Sequence, residues 1–440
     1  MATSVFVETQ ATIHLSTKDD ALTVNLNLPD SDASYLHLDH PTPDECVKIW
    51  SGTAAAWKDS LTVPLYIKES QFLTTIPLAK DGGMTIWVLV DKRLPPNQRE
   101  LLCSCESFRK RSLTSDADGN VTDNIIHGIA SVFCPPQYRR RGFAARHMKE
   151  ISRVLRTWQS DHGKSVGCVL YSDIGKSYYT NLGWIPNATN SHLVFAPVAM
   201  ESWPSDVRPV LESDLEDLCR RDETLIRAAM ARPEKAIKRR VTVLPDLDHM
   251  LWHIRKEDFA TQYIFGKIPQ AKGAIAGPPG RQVWAVWTHR YYGHPDQQEE
   301  NSDNVLYILR LVVEGDHTAN RPLSLAASED KNGAQVSIYN AYAEQAAALK
   351  AVLQAAQAEA AEWRLDHVKL WEPSPLVRTL IAQQIPEHEE VEREEESIAS
   401  GMWWFDEQDI VIEGLSSTKE QCDDEDERPT WINNEHYAWC

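Results

Sequence analysis

The chain has 440 residues, 42% of them hydrophobic and 25% charged, and its formal net charge at pH 7 is −19. This length favours two domains, and the acidic balance argues against nonspecific nucleic-acid binding, which needs a basic surface. Because no apolar run approaches the roughly 20 residues of a membrane span and residues 1–4 open no secretory signal, we expect a cytoplasmic protein without a membrane partner.

Cysteine usage gives no indication of a metal centre. The eight cysteines stand at scattered positions, and the close pair Cys103 and Cys105 alternates along a strand-like run. No second pair stands at the spacing of zinc ligands. We therefore predict no metal site and reduced, mostly buried thiols.

Strand-like and helix-like patterns alternate through the first part of the chain, after a polar lead-in over residues 1–33. Short apolar runs bounded by turn residues predict strands, and apolar residues at helical spacing predict helices. The predicted strands are 34–39, 85–90, 101–105, 125–133, 166–171 and 192–195, and the predicted helices begin at Pro43, Ala144 and Ser172.

The stretch between the strand 125–133 and the next helix holds the first candidate site. Gly142 and Ala144 let backbone approach a ligand closely, and free N–H groups at a helix start point at anionic oxygens. This strand–turn–helix plan is typical of a phosphate-binding turn. The residues alone equally allow an ordinary turn with a solvated arginine cluster.

After a proline-containing segment over 197–207, the same order of elements starts again. The predicted elements are strands 208–211, 282–287, 305–313, 367–371 and 402–405, helices 338–364 and 374–383, and a Pro/Gly loop over 273–280. The glycine turn is missing from this repeat. We predict one domain over 1–196, a linker over 197–207, and a degenerate second domain over 208–440 whose aromatic C-terminal tail docks on the body.

At this point the residues resemble the GCN5-related N-acetyltransferase (GNAT) superfamily. The acetyl-coenzyme A signature of that family is Arg or Gln, two residues, Gly, one residue, then Gly or Ala, and Arg139-x-x-Gly142-x-Ala144 matches it. The later Tyr-x-x-x-Gly-aromatic element is matched by 179–184. The resemblance covers residues 35–195 and implies a mixed α/β fold with a splayed sheet, followed by a degenerate GNAT-like lobe.

The resemblance also implies acetyl-coenzyme A as co-substrate. Its pyrophosphate would lie on the backbone amides of 139–144, and its pantetheine arm would pair with the strand around Val132 and Cys134. Ser172 falls where many members have an asparagine, and at least one of the three arginines is expected to be solvated. The predicted coenzyme-binding residues are Val132, Phe133, Cys134, Arg139, Arg140, Arg141, Gly142, Phe143, Ala144 and Ser172.

Tyr179 matches the position from which family members protonate the leaving thiolate. A phenol with a pKa near 10 holds its proton at pH 7; the alternative is an aromatic that packs beside Tyr178. Three groups are candidate bases for the amine: His127, Glu106 and the C-terminal carboxylate of Cys440. The carboxylate of Cys440 is included because some two-lobed members of the superfamily use a docked C-terminus in this way.

More narrowly, the architecture, the length and the ending 434–440 resemble the fungal lysine N6-acetyltransferases. The resemblance implies direct acetyl transfer from acetyl-coenzyme A to a small cationic amine, with the side-chain amine of free L-lysine as the expected acceptor. A protein lysine acetyltransferase would need an open acidic groove instead of a closed pocket. A non-catalytic coenzyme A-binding or interaction protein is the third interpretation.

Overall fold

The computed structural model describes residues 28–297, 303–316, 328–329, 335–336, 342–405 and 428–439. The helices are α1 (Pro43–Trp57), α2 (Val63–Leu73), α3 (Phe143–Leu155), α4 (Ser177–Thr180), α5 (Leu215–Met230), α6 (Leu247–Phe265), α7 (Ala343–Glu362) and α8 (Pro375–Gln384). Short 3-10 turns cover Pro136–Tyr138, Ser160–His162, Glu212–Asp214 and His436–Ala438.

Eighteen strands are described. They are β1 (Leu36–Asp39), β2 (Met84–Asp91), β3 (Cys103–Asp116), β4 (Val121–Phe133), β5 (Ser165–Ser172), β6 (Ile185–Pro186), β7 (Ser191–Phe195), β8 (Val207–Val210), β9 (Arg239–Val243), β10 (Gly273–Ala276), β11 (Val283–Arg290), β12 (Val305–Val313), β13 (Ser328–Glu329), β14 (Gln335–Val336), β15 (His367–Trp371), β16 (Glu389–Glu392), β17 (Ile398–Trp403) and β18 (Thr430–Trp431).

The strands form two large mixed sheets and one small hairpin of β13 and β14. The first sheet has the order β1-β2-β3-β4-β5-β17-β6, and β9 pairs with β3 and β18. The second has the order β16-β7-β15-β12-β11-β10-β8. Parallel pairing joins β4 to β5, β12 to β15, and β9 to β18, whereas the other pairs are antiparallel. The expected mixed α/β class is confirmed.

The two sheets exchange a strand. β17, from near the end of the chain, lies between β5 and β6 in the first sheet. β7, from the first part of the chain, lies between β15 and β16 in the second sheet. Each sheet therefore contains backbone from both parts of the sequence.

The start of α1 follows from its first residues. The Thr42 hydroxyl accepts from the Glu45 amide at 3.2 Å, and the Glu45 carboxylate accepts from the Thr42 amide at 2.9 Å, which is a capping box before Pro43. Glu45 is also buried beside Arg99, with Nε 3.0 Å from Oε1. The cap therefore anchors the loop before β3, and the predicted helix start is confirmed.

The core of the second sheet is covered by α7. Ala346, Leu349, Val352 and Leu353 are buried there against strands β8, β10, β11, β12 and β15. Alanine gives this face little bulk, so the helix approaches the sheet closely. Among the described residues, no helix is long and apolar enough to cross a membrane.

Several expectations about single elements were wrong. Residues 273–276 of the predicted Pro/Gly loop form β10. Gly273 allows this close pairing, because an added Cβ there would collide with the Ala285 carbonyl of the neighbouring strand. The predicted strand 192–195 is β7 and lies in the second sheet, whereas the predicted strand 402–405 overlaps the end of β17, which covers Ile398–Trp403 and lies in the first sheet. The helix expected from Ser172 is shorter, since α4 covers four residues.

The helices α2 and α6 and the strand β9 were not predicted. The aromatic tail does dock, because Trp431 and Tyr437 are buried and the Tyr437 hydroxyl donates to the Val243 carbonyl at 2.7 Å. The boundaries 1–196, 197–207 and 208–440 stay a prediction. Residues 1–27 of the polar lead-in lie outside the described residues.

A buried histidine makes the stability of this fold depend on pH. His147 has no exposed surface, and burial lowers its pKa to about 3. In the unfolded chain His147 has a pKa near 6.5, so below that pH it binds a proton in the unfolded state but not in the folded state. His147 therefore lowers the free energy of unfolding as pH falls from about 6.5 to 3. The slope is about 1.4 kcal/mol per pH unit well inside this window.

We expect His147→Gln to have a lower free energy of unfolding at pH 7.5 and a shallower loss of it between pH 6 and 5 than the wild type. Urea unfolding followed by tryptophan fluorescence measures both. The exposed His162 provides the control, since His162→Gln should keep the wild-type slope. Identical slopes for His147→Gln and the wild type would contradict the expectation.

Candidate active site

The central parallel strands of the first sheet pair along only part of their length. β4 and β5 are in register from Ile125 with Ser165 to Ile129 with Leu170. Beyond this point β4 continues to Phe133 and β5 to Ser172, but they no longer pair with each other. The two strands therefore diverge and leave a gap across which they form no ladder with each other.

A β-bulge lies on β4 where this gap begins. Glu106 pairs with Ala130 and Ser104 with Phe133, so Ser131 and Val132 together stand opposite one residue of β3. Ser131 adopts a φ of +54°, in the left-handed region. A bulge leaves a backbone N–H outside the ladder, and here it also brings the Ser131 hydroxyl to 2.9 Å from Glu106 Oε2.

The predicted phosphate-binding turn joins β4 to α3. Gly142 has a φ of +86° immediately before the helix, and a Cβ there would lie 2.6 Å from the Ser31 hydroxyl. Both facts favour glycine at this position. The first amides of α3 have no acceptor within their own helix, so they are available to an anion.

The arginines of the turn are exposed. The Arg139 Nε donates to the Cys134 carbonyl at 3.0 Å, and its guanidinium lies 5.7 Å from the Phe133 ring centre, so this side chain also shapes the turn. Arg140 takes a φ of +61°. Free amides and exposed cationic side chains together fit a pyrophosphate group.

The second motif places Tyr179 beside the gap. Its phenol is 8% exposed, and its ring packs edge-on against Tyr178 and Trp184 at 5.1 and 6.4 Å. None of the described residues forms a hydrogen bond with its hydroxyl, which lies at the wall of a cavity. Burial raises the pKa of Tyr179, so the phenol holds its proton at neutral pH.

Close packing explains why the second motif has a glycine at position 183. Gly183 has a φ of +101°, and a Cβ there would lie 2.7 Å from Cε of Met402 on β17. The exchanged strand β17 thus packs directly beneath the turn that holds Tyr179. Trp184, which follows, is fully buried.

A cavity of about 230 Å³ opens at the bulge and is enclosed by both parts of the chain. α1, α2, β4 and β5 form one side, and α6, β11 and the C-terminal segment form the other. Its aromatic members are Trp50, Trp57, Tyr66, Tyr171, Tyr179, Trp252 and Trp439. Its charged members are Glu69, Glu106, Asp173, Lys256 and Arg290.

Glu106 is the predicted base that this cavity includes. Glu106 lines the cavity, and burial raises its pKa, while a hydrogen bond from Ser131, the positive charge of Lys256 and a hydrogen bond from Trp50 oppose the rise. Burial also raises the pKa of Glu69, where the Lys256 amine lies 3.4 Å from Oε2. Both carboxylates are therefore more easily protonated than in water.

Of the other two predicted base candidates, only His127 lies among the described residues, and the structure places it away from the cavity. His127 is fully buried, with Nδ1 3.3 Å from the Ser165 hydroxyl, and it does not contribute to the cavity wall. Burial lowers its pKa to about 4. Cys440 lies outside the described residues, whereas its neighbour Trp439 forms part of the wall.

Three predicted coenzyme-binding residues have other contacts. The Ser172 hydroxyl donates to the Gly175 carbonyl at 2.8 Å and accepts from the Ile174 amide at 3.2 Å, so it shapes the turn after β5. Phe143 is buried in the core beneath the phosphate-binding turn. Phe133 borders a separate groove of about 440 Å³, together with Lys48 and other residues. Val132 lies in the cavity wall.

One cysteine–histidine pair that the sequence did not indicate lies behind the site. The Cys105 thiol is 3.1 Å from Nε2 of His147, and both side chains are fully buried. Burial raises the pKa of the thiol and lowers that of the imidazole, so both stay neutral. Neither residue reaches the cavity, and the pair therefore gives no support to an acyl-enzyme.

Sequence reasoning missed most of the cavity residues that α2, α6 and β11 contribute. α2 brings Tyr66 and Glu69, α6 brings Trp252 and Lys256, and β11 ends in Arg290. Asp246 caps α6 and Gly266 ends it, so the helix itself could have been found from these two signals. Across the described ranges, no three histidine, cysteine or acidic side chains are arranged to hold a metal ion.

Comparison with known proteins now gives the family. The family described as "LYC1 GNAT-like C-terminal domain" matches residues 192–440. This chain belongs to that family. The match begins within β7, the first strand along the chain that lies in the second sheet. The expected membership of the GNAT superfamily and the resemblance to fungal lysine acetyltransferases are confirmed.

Individual relatives are distant. A "Lysine acetyltransferase" of Yarrowia lipolytica (strain CLIB 122 / E 150) is 21% identical over 230 residues, which cover 43% of this chain and 57% of the relative. The match thus spans little more than half of that relative's length.

Two solved structures can be compared by fold. A GCN5-related N-acetyltransferase from Kribbella flavida has 12% identity and a TM-score of 0.44, with 83% of this chain and 71% of that chain covered. Saccharomyces cerevisiae N-myristoyltransferase with bound myristoyl-CoA has 9% identity and a TM-score of 0.42, with 85% and 80% covered.

We expect Gly142→Ala to weaken the binding of coenzyme A about tenfold. A residue with a side chain at positive φ strains the backbone by ~1–2 kcal/mol, and the turn changes its conformation to relieve this strain. Isothermal titration calorimetry with coenzyme A measures the change. Gly280→Ala is the matched control, since Gly280 also has a positive φ of +84° but lies outside the site with no atom near its Cβ position. Equal affinities for Gly142→Ala and the wild type would contradict a coenzyme site at this turn.

Proposed function

We propose that the protein is an N-acetyltransferase that moves the acetyl group of acetyl-coenzyme A to the side-chain amine of free L-lysine. The observation that carries this proposal is the gap between β4 and β5, which opens into a cavity that Tyr179 and Glu106 both line. An acid and a base at the end of this gap suit transfer of an acetyl group from a thioester whose extended arm lies along the strands.

The donor would be held by backbone more than by side chains. The amides at the start of α3 and the exposed arginines of the turn suit the pyrophosphate. Beyond the last β4–β5 pair, the facing edge of β4 is suited to pair its N–H and C=O groups with the amide-containing pantetheine arm. Acetyl-coenzyme A supplies the activated acetyl group as a thioester.

The proposed reaction is a direct attack. The acceptor ammonium first loses a proton to Glu106, directly or through water. The neutral nitrogen then forms a bond to the acetyl carbonyl carbon, and the bond from that carbon to sulfur breaks. The Tyr179 hydroxyl gives its proton to the departing sulfur, the nitrogen returns its surplus proton to the phenolate as the amide forms, and Glu106 releases its proton to solvent. The N–H freed by the bulge at Ser131 is suited to the negative charge on the carbonyl oxygen.

Glu106 is the preferred base because of where it lies. A base has to reach the amine in the cavity, which Glu106 does and the buried His127 does not. Its raised pKa makes the carboxylate a stronger base than an exposed one. The carboxylate of Cys440 stays an alternative base.

The acceptor is proposed from the walls of the cavity and from the relative's name. The aromatic faces of Trp50, Tyr66 and Trp252 suit an alkyl chain that ends in an ammonium group, and Glu69 and Glu106 suit its charge. Closure by α6 and Trp439 favours a small molecule over a protein tail. The Yarrowia lipolytica relative is named lysine acetyltransferase.

The alternatives make different predictions for turnover. A protein lysine acetyltransferase would acetylate a basic peptide faster than free lysine, and a non-catalytic coenzyme A-binding protein would release no thiol with any amine. Activity in the cytoplasm, in the degradation of amino acids, is part of the proposal.

We expect Tyr179→Phe to lower kcat with L-lysine by about 10²–10³-fold, because the thiolate then leaves without a positioned acid. Thiol release measures turnover, and calorimetry with coenzyme A should show unchanged affinity. The control is Tyr178→Phe, which changes the adjacent half-buried phenol and should keep wild-type turnover. A Tyr179→Phe variant with wild-type kcat would remove Tyr179 from the mechanism.

Glu106 should determine how the reaction depends on pH. A carboxylate base acts when ionised, so kcat/KM should rise with pH through the raised pKa of Glu106 and then level off. We expect Glu106→Gln to lose about 10²-fold or more in kcat/KM together with this rise. His127→Gln tests the other candidate and should keep the profile, because the neutral His127 does not titrate near 6.5. The opposite pattern would assign the base to His127.

A further inference from the structure

Two cationic side chains stand on the acceptor side of the cavity. Lys256 comes from α6, and Arg290 is the last residue of β11, so both belong to the second part of the chain. The Arg290 guanidinium lies 4.6 Å from the ring centre of Trp439 and 4.7 Å from that of Tyr292. These rings limit its movement.

The existing ion pairs leave donors of both cations available. Asp59 accepts from Nε of Arg290 at 3.1 Å and from Nη2 at 3.4 Å, and none of the described residues accepts from Nη1. The Lys256 ammonium has a long contact of 3.4 Å with Glu69. A guanidinium with one occupied edge keeps another for a second carboxylate.

The charges of the cavity wall suit a zwitterion better than a pure cation. Glu69, Glu106 and Asp173 lie in the same wall as Lys256 and Arg290. A polyamine, which carries only positive charge, would be repelled by the two cations and would leave their free donors unsatisfied. An amino acid with a second amine satisfies both signs, because its ammonium groups suit the carboxylates and its own carboxylate suits Lys256 and Arg290.

We propose that Lys256 and Arg290 form a subsite for the α-carboxylate of the acceptor and so select a free amino acid over polyamines and peptide-bound lysine. The inference rests on the proposed acetyl transfer. It assigns selectivity to residues of the second part of the chain, whereas the acid and the base come from the first part. Lys256 and Arg290 are specificity-determining residues and take no part in proton transfer.

The first test compares substrates that differ only at the carboxylate. L-Lysine, L-lysinamide and cadaverine share the alkyl amine, but lysinamide carries a neutral amide and cadaverine has no group there. We expect the wild type to show a kcat/KM for L-lysine about 10- to 100-fold above the values for the other two, since a charge-assisted hydrogen bond that cannot form has this effect. Thiol release with saturating acetyl-coenzyme A gives the constants.

The second test removes the cations. Arg290→Gln and Lys256→Gln should each raise KM for L-lysine about tenfold or more with a smaller effect on kcat, and should lower kcat/KM for L-lysine much more than kcat/KM for cadaverine. Because Arg290→Gln leaves Asp59 buried without its partner, the double variant Asp59→Asn/Arg290→Gln provides a charge-balanced version. Arg281→Gln, which breaks an exposed ion pair with Glu344, is the matched control and should keep the wild-type ratio.

The outcomes separate this inference from the proposed function. Equal kcat/KM for L-lysine and cadaverine in the wild type would overturn the carboxylate subsite and leave the acetyl transfer intact. A preference for L-lysine that survives in Lys256→Gln and in Asp59→Asn/Arg290→Gln would overturn the assignment to these residues. Absence of thiol release with every amine would overturn the proposed function, and the inference with it.

Discussion

The parallel pairing of β4 and β5 ends at Ile129 and Leu170, and the geometry of the candidate site depends on that end. Backbone groups that would otherwise satisfy each other become available to a ligand, because a diverging strand pair cannot continue its ladder. The bulge at Ser131 lies where the divergence begins and directs the Glu106 carboxylate. The gap between the strands, the position of Glu106 and the positive φ of Ser131 are thus consequences of one interruption in a sheet.

The strand exchange determines how the rest of the cavity is built. β17 covers the free edge of β5 and packs under Gly183, so the turn that holds Tyr179 rests on a strand from the second part of the chain. β7 makes the reverse connection in the second sheet. α6 and Trp439 are held against the first part through these shared sheets. A site with walls from both parts therefore does not rely on a flexible interface between separate bodies.

Local signals in the sequence were sufficient for the elements around the turn at Gly142 and around Tyr179, but insufficient for the opposite wall of the cavity, where Lys256 and Arg290 lie. The strand before Gly142, the helix after it and the position of Tyr179 follow from short-range patterns, and the structure has these elements where they were expected. Lys256 and Arg290 carry no local signal of a site, because their role depends on which helix and strand end meet across the cavity. The pairing of β17 with β5 could not be predicted for the same reason, because long-range packing and not the apolar residues of β17 determines its partner strand.

The exchanged strand also has a consequence for the order of folding. β5 and β17 come from distant positions in the chain, so the first sheet cannot close until residues 398–403 have left the ribosome. Until then the edge of β5 presents unpaired N–H and C=O groups beside buried apolar side chains, which is a template for association with other chains. Non-local pairing of this kind slows folding, so this edge stays open for longer than the edge of a strand that pairs with its neighbour along the chain.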